Sequence, residues 1–226
     1  MQRRRFTNAM LAAVGWLIAS GSRAAGVSDA DAASGIRAAL ERGAGAAVDL
    51  LGRKDGFLGN AKVRIPLPGY LKDAAKLARL TGQQKQVDDL VTAMNRAAEA
   101  AVPEARALLV SAVKSMSVDD ARRIVAGGDD SVTRFFAART RQPLGEKFLP
   151  IVTRETEKVG LAAQYNALAG KAAAMGLMKG EDASIERYVT GKALDGLYFM
   201  IAEEEKKIRR DPIGTGSALL AKVFGK

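Results

Sequence analysis

Three polar side chains on one predicted helix are the strongest candidates for chemistry in this sequence. Asn95 and Glu99 are four residues apart, and Arg96 precedes Glu99 by three, so on a helix the three side chains can meet. The surrounding segment is rich in alanine and should lie near the centre of a helical bundle. Two interpretations remain open. The cluster is either a buried hydrogen-bond network that fixes helix register or, together with Glu203, the polar lining of a ligand pocket.

The composition excludes most of the familiar catalytic and metal-binding chemistry. The 226 residues contain no cysteine and no histidine, so disulfides, thiolate metal sites and Ser-His-Asp or Cys-His mechanisms are excluded. We therefore expect no metal and no cofactor, and we favour a non-enzymatic protein. The alternative is a hydrolase-like enzyme that works with carboxylates and arginine, with Arg96, Glu99 and Glu203 as its polar centre.

A run of three glutamates, residues 203–205, raises the question of an acid-only metal site together with Glu99 and Glu104. Helical bundles that hold two metal ions usually add histidines from Glu-x-x-His pairs, and this sequence has none. Lys206 and Lys207 follow at helical pairing distance. The pattern therefore favours a solvated face for the whole run.

Residues 53–69 (RKDGFLGNAKVRIPLPG) interrupt the helical pattern with turn residues and apolar residues in close alternation. Such a mixture predicts an ordered apolar loop that packs onto the bundle. As a structural plug, the loop would cover the end of the bundle with Phe57, Leu58 and Ile65. As a functional surface, it would offer its cations to an anionic partner. These cations are Arg53, Lys54, Lys62 and Arg64.

Apolar residues recur at helical spacing through the rest of the chain, while alternating strand patterns are nearly absent. The fold class is therefore predicted to be all-α, with a single multi-helix bundle over residues 25–226. A helix is expected over about 29–52, and Ser117 to Asp120 should cap a short helix that ends at Gly127. The remaining helices are predicted over about 70–82, 84–101, 103–116, 129–141, 142–159, 161–177, 185–210 and 217–224.

The N-terminus has the pattern of a signal peptide. Arg3 to Arg5 form a basic region, Ala9 to Ile18 form a short apolar region, and Ser22-Arg23-Ala24 suits signal peptidase. We expect cleavage after Ala24 and a periplasmic location. The apolar run is too short for a transmembrane anchor, and we expect no transmembrane segment in the mature chain. Arg3-Arg4-Arg5-Phe6 also resembles the twin-arginine export pattern, so both this route and the general secretory route remain open.

The charge of the chain suits an anionic partner in the cell envelope. The formal net charge is +10, and removal of residues 1–24 takes away four arginines and no acids, which leaves +6. A basic surface in this compartment favours anionic lipids or other polyanions over nucleic acid, and the alternative is a soluble protein that only carries an excess of lysine and arginine. An envelope protein, an anionic lipid surface and a small apolar ligand held between helices all remain open as partners.

Six sequence blocks resemble the bacterial domain-of-unknown-function family 4197. They are DGFLGN at 55–60, VRIPLP at 63–68, MNRAAEAAVPEA at 94–105, KFLPIV at 147–152, VGLAAQYNALAGKA at 159–172 and KALDGLYFMIAEEEKKIRRDP at 192–212. The blocks follow one another along essentially the whole mature chain. The resemblance implies a single helical domain on exported proteins, and it assigns no activity, ligand or catalytic residue. A non-enzymatic binding or interaction module of the envelope is our leading interpretation.

Overall fold

The computed structural model describes residues 29–72, 80, 82, 84–158, 160 and 184–211, and these form helices joined by turns and one long loop. No strand occurs in these ranges, so the predicted all-α class is confirmed. The α-helices are α1 (Asp29–Gly52), α2 (Gln84–Ala101), α3 (Ala105–Lys114), α4 (Val118–Ala126), α5 (Ser131–Glu157) and α6 (Ile185–Arg210), with 3-10 turns at Gly69–Leu71 and Val102–Glu104.

Several predicted segments lie outside the described residues. They are the signal peptide, most of the predicted helix over 70–82, and the predicted helices over 161–177 and 217–224. Among the helices that are described, none combines the length and the apolar character needed to cross a bilayer.

The core forms where α6 packs against α1, α2 and α5. Small side chains permit this close packing, since Ala97, Ala98 and Ala101 on α2 are fully buried. Larger apolar side chains fill the remaining space, and the buried residues of the described ranges form one contiguous cluster. Phe57 and Ile65 from the 53–69 loop belong to this cluster, so the loop is packed into the core as well as onto it.

The start of α4 confirms the cap predicted at Ser117. The Ser117 hydroxyl accepts the backbone N–H of Asp120 at 3.0 Å, and the Asp120 carboxylate accepts the backbone N–H of Ser117 at 3.1 Å. This reciprocal pair satisfies two donors that a helix start otherwise leaves unpaired.

The predicted helix boundary before Gln142 is wrong, because α5 continues without a break from Ser131 to Glu157. Pro143 and Pro150 both lie inside it. Each proline removes one backbone hydrogen bond and crowds the preceding turn. The two are seven residues apart and therefore share one side of the helix, away from Leu144 and Phe148, which are fully buried. Burial of Leu144 and Phe148 in the core stabilises the helix across both prolines.

Candidate functional site

Asn95 of α2 holds the 53–69 loop by pairing with the backbone of Ile65. Its Oδ1 accepts the Ile65 N–H at 2.8 Å, and its Nδ2 donates to the Ile65 carbonyl at 3.0 Å. The same Nδ2 also donates to the Val91 carbonyl at 2.8 Å. Asn95 and Ile65 are both buried and cannot bond to water, so these hydrogen bonds satisfy their polar groups instead.

Glu99 holds a second part of the loop, one helical turn further along α2. Its Oε1 accepts the backbone N–H groups of Phe57 and Leu58, each at 3.0 Å. Its Oε2 accepts from Nη1 of Arg96 at 2.6 Å. Glu99 is only 4% exposed, so its charge is stabilised by these three donors rather than by solvent.

Arg96 connects Glu99 to the tip of the first turn of the loop. The Nη2 atom of Arg96 lies 2.8 Å from Oδ1 of Asp55. The hydrogen bond from Arg96 to Glu99 is the main cause of the raised pKa of Arg96. Asp55 has a φ of +65°, a left-handed conformation that aspartate tolerates better than most residues. Sequence reasoning did not identify Asp55, although the Asp55-Gly56 pair marks a turn.

Glu203 of α6 contacts the loop at a separate point. Its carboxylate lies 2.7 Å from Nζ of Lys62 and 3.3 Å from Nζ of Lys206. The hydrogen bond from Lys62, followed by that from Lys206, lowers the pKa of Glu203. Glu203 therefore does not complete a four-residue cluster. All four predicted site residues contact the 53–69 loop, but Glu203 does so through its own ion pair.

The glutamate run divides into an exposed part and a buried part. Glu204 pairs with Lys207 at 2.5 Å, as expected for a solvated face. For Glu205 that expectation is wrong, because this side chain is only 5% exposed. Its carboxylate accepts the backbone N–H of Val132 at 3.2 Å and pairs with Arg209 at 2.8 Å. It thus satisfies a donor at the start of α5, where helices leave N–H groups unpaired.

Two opposing influences act on the carboxyl group of Glu205. Burial raises the pKa of Glu205, and the hydrogen bond from Arg209 opposes that shift. Within the described residues, no group of three or more acidic side chains is arranged to hold a metal ion. Of the five glutamates considered for such a site, four are paired with cations, namely Glu99, Glu203, Glu204 and Glu205. The fifth, Glu104, is exposed at a turn.

The 53–69 loop combines buried apolar side chains with exposed basic side chains, which together are called its basic side. Phe57 and Ile65 are at most 1% exposed, whereas Arg53, Lys54 and Arg64 are exposed. Lys62 is exposed too and is partly neutralised by Glu203. The other three cations have no acidic partner among the described residues. The loop therefore supplies both buried apolar side chains and exposed cations, and contact with an anionic surface remains a prediction.

A cleft of about 450 Å³ lies between the second half of the loop and α6. Tyr188 of α6 lines the cleft, and its hydroxyl donates to the Pro66 carbonyl at 3.1 Å. Lys72 and Lys192 also line the cleft. Sequence reasoning named Lys62 and Arg64 but missed the cleft itself, because the lining residues of α6 come from a distant part of the chain and share no local motif with them.

Comparison with known proteins identifies a family and nothing more specific. Searches of curated proteins and of solved structures found no match. A family model described as "Protein of unknown function (DUF4197)" matches residues 26–225, which confirms the resemblance carried by the six sequence blocks. The match spans most of the chain, and the chain therefore belongs to the DUF4197 family.

Proposed function

We propose that this chain is an exported, non-enzymatic binding module of the bacterial cell envelope, and that the basic side of its 53–69 loop contacts an anionic surface. The observation that carries this proposal is the combination of a fixed backbone with unpaired cations. Asn95 and Glu99 hold the loop from inside. Arg53, Lys54 and Arg64 point outward without acidic partners among the described residues. A backbone that is already ordered loses little conformational entropy when its side chains bind a partner.

The burial of the polar cluster favours binding over catalysis. A general acid or base must come within hydrogen-bond reach of the substrate. Asn95 is fully buried, Glu99 is 4% exposed, and the polar atoms of both are already engaged by the loop and by Arg96. The hydrolase-like alternative would have to displace the loop before Glu99 met a substrate. The same displacement would be needed for a ligand pocket at this cluster.

Export is supported by the basic region, the short apolar region and the small residues of the N-terminal 24 residues. The test is fractionation of the native host, followed by N-terminal sequencing of the recovered protein. We expect a periplasmic chain that begins at Ala25. Recovery of the uncut precursor from the cytosol would contradict this part of the proposal.

Binding to vesicles tests the surface contact directly. The native chain should sediment with phosphatidylglycerol vesicles at low salt and be released at high salt, because exposed charges are screened. The triple variant R53Q/K54Q/R64Q should bind on the order of a hundredfold more weakly, since each cation near an anionic surface contributes about 1 kcal/mol.

The matched control is K114Q/R122Q/K147Q, which removes three exposed cations from α3, α4 and α5. This variant should bind nearly as well as the native chain. Equal weakening of the two variants would show that net charge alone governs binding, and the loop would then have no special role.

A further inference from the structure

The cleft between the loop and α6 concentrates positive charge. Its walls include four cations, Lys62, Arg64, Lys72 and Lys192, and a single acid, Asp195. Its volume of about 450 Å³ lies within the range of small-ligand sites. The cleft is therefore large enough for the headgroup of a lipid or for a small phosphate ester.

The charge in this cleft is not balanced internally. Asp195 already pairs with Arg141 at 2.6 Å and lies 3.6 Å from Lys192. Arg64 and Lys72 have no acidic partner in the part of the chain that the structure describes. An anion that enters the cleft would meet these two cations without first breaking an ion pair.

Apolar surface lies beside the cations. Phe199 is 40% exposed and lines the cleft, and besides it only Leu80 is a large exposed apolar side chain among the described residues. The ring of Tyr188 adds a second aromatic wall, with Nζ of Lys192 5.9 Å from the ring centroid. The site thus combines groups that bind an anion with groups that bind an apolar moiety.

The walls are held in place before any ligand arrives. The Tyr188 hydroxyl ties α6 to the Pro66 carbonyl at 3.1 Å, and Asn95 fixes the adjacent Ile65. Val63 and Leu67, which also line the cleft, are each 8% exposed and belong to the hydrophobic core. Preorganisation of this kind lowers the entropic cost of binding.

We propose that this cleft binds a phosphate group that is joined to an apolar group, as in the headgroup region of an anionic lipid. Arg64 and Lys72 bind the phosphate oxygens, because guanidinium and ammonium groups donate strong charge-assisted hydrogen bonds to phosphate, and Lys192 in the cleft wall adds a third positive charge that attracts the anion. The apolar part of the ligand packs against Tyr188 and Phe199. The inference rests on the proposed function and specifies the chemistry that the basic loop recognises.

A titration of the isotope-labelled protein, followed by nuclear magnetic resonance, tests this site. The probes are dihexanoylphosphatidylglycerol, which is soluble below its micelle concentration, and inorganic phosphate. Both should shift the backbone amides of Gly69 and Gly196, which lie in the cleft wall. The lipid should bind at least about tenfold more tightly than phosphate, because it also buries apolar surface. Equal affinities, or shifts confined to other amides, would overturn the proposal.

Two double variants separate this inference from the proposed function. K72Q/K192Q should weaken binding of the soluble lipid about 25-fold, at roughly fivefold for each charge, whereas the control K114Q/K147Q should leave it unchanged. R53Q/K54Q should keep native affinity for the soluble lipid and bind phosphatidylglycerol vesicles more weakly.

If K72Q/K192Q bound the soluble lipid with native affinity, the proposed binding site in the cleft would be wrong, even if the native chain bound vesicles as proposed. Lipid binding in the cleft without any vesicle binding would support the cleft and contradict the surface contact.

Discussion

Asn95 and Ile65 are joined by a reciprocal pair of hydrogen bonds, in which a side-chain amide takes the place of a neighbouring strand. The distances are 2.8 Å to the Ile65 N–H and 3.0 Å to the Ile65 carbonyl. Neighbouring strands satisfy backbone groups in the same way, but here the partner is a single side chain from a helix. The 53–69 loop therefore needs no sheet to keep its buried backbone polar groups paired.

Replacement of Asn95 by alanine should strongly destabilise the protein. The N–H and carbonyl of Ile65 would remain buried without a partner, and we expect the free energy of unfolding to fall by about 2–4 kcal/mol. Urea denaturation measures the change. The control is Gln86→Ala on the exposed side of α2, which should cost no more than about 0.5 kcal/mol. A loss for N95A as small as that of the control would show that the pairing contributes nothing.

The two variants Glu99→Gln and Glu99→Ala should differ in cost. Glutamine keeps an oxygen that can accept the Phe57 and Leu58 N–H groups, but its NH2 group cannot accept the hydrogen bond from Arg96, for an expected cost of about 1–2 kcal/mol. Alanine leaves both N–H groups unpaired and Arg96 without its buried partner, for an expected cost of about 3 kcal/mol. Thermal and urea unfolding would compare them. If both variants lost the same free energy of unfolding, the contribution of Glu99 would come from its charge and not from its hydrogen bonds to the loop.

Gly196→Ala should destabilise the contact between α6 and the loop. A Cβ at this position would lie 2.7 Å from Cε1 of Phe57, whose ring is fully buried and has little freedom to move. We expect a cost of about 1–3 kcal/mol in the free energy of unfolding.

Gly191→Ala on the same helix is the matched control. Apart from the adjacent residues and the backbone of its own helix, no atom lies within 4 Å of a Cβ built there, so the better helix propensity of alanine should stabilise the protein by roughly 0.5–1 kcal/mol. Stability changes of the same sign for G191A and G196A would contradict the close packing of Phe57 against α6.

Asp120 should make stability depend on pH in the acid range. The hydrogen bond from Arg123, followed by the backbone hydrogen bond from Ser117, lowers the pKa of Asp120 from 3.8 to about 2. A carboxyl whose pKa is lower in the folded state stabilises fully above its unfolded pKa. That stabilisation is lost as the pH falls from about 4 through about 2.

Asp120→Asn should flatten this part of the stability profile, by on the order of 1–2 kcal/mol across the window. Denaturant titrations at several pH values between about 2 and 5 would measure it. Asp119→Asn, at an exposed neighbouring position with a side chain that is 76% exposed, is the control and should leave the profile unchanged. Parallel profiles for the native chain and D120N would contradict the lowered pKa.

The helices could be predicted because their signals are local. The bounds of α1 agree with its predicted range, and the Ser117 cap can be read from four adjacent residues. The continuity of α5 could not be predicted from the sequence. Pro143 locally destabilises the helix, and this effect is visible in the sequence, whereas the packing that stabilises the helix comes from contacts with other helices. Local signals therefore predict most helix ends and fail where tertiary packing decides.

The candidate site was predictable in part for a related reason. The spacing of Asn95 and Glu99 on an alanine-rich helix marked them as unusual, but their partners are backbone groups of Ile65, Phe57 and Leu58, which carry no side-chain signature. Glu205 did carry a signal. It lies on the same side of α6 as the buried Ile201, four residues earlier. This helical spacing indicates burial, although the neighbouring glutamates suggest a solvent-exposed face.

Amide hydrogen exchange at Phe57, Leu58 and Ile65 tests most directly whether the loop is a fixed part of the bundle. Each of these N–H groups donates to Glu99 or Asn95, so each should exchange as slowly as amides of the buried part of α2. Exchange at the rate of an unstructured peptide would show that the loop opens freely. In that case, neither the buried network nor a preordered basic surface could explain how this protein works.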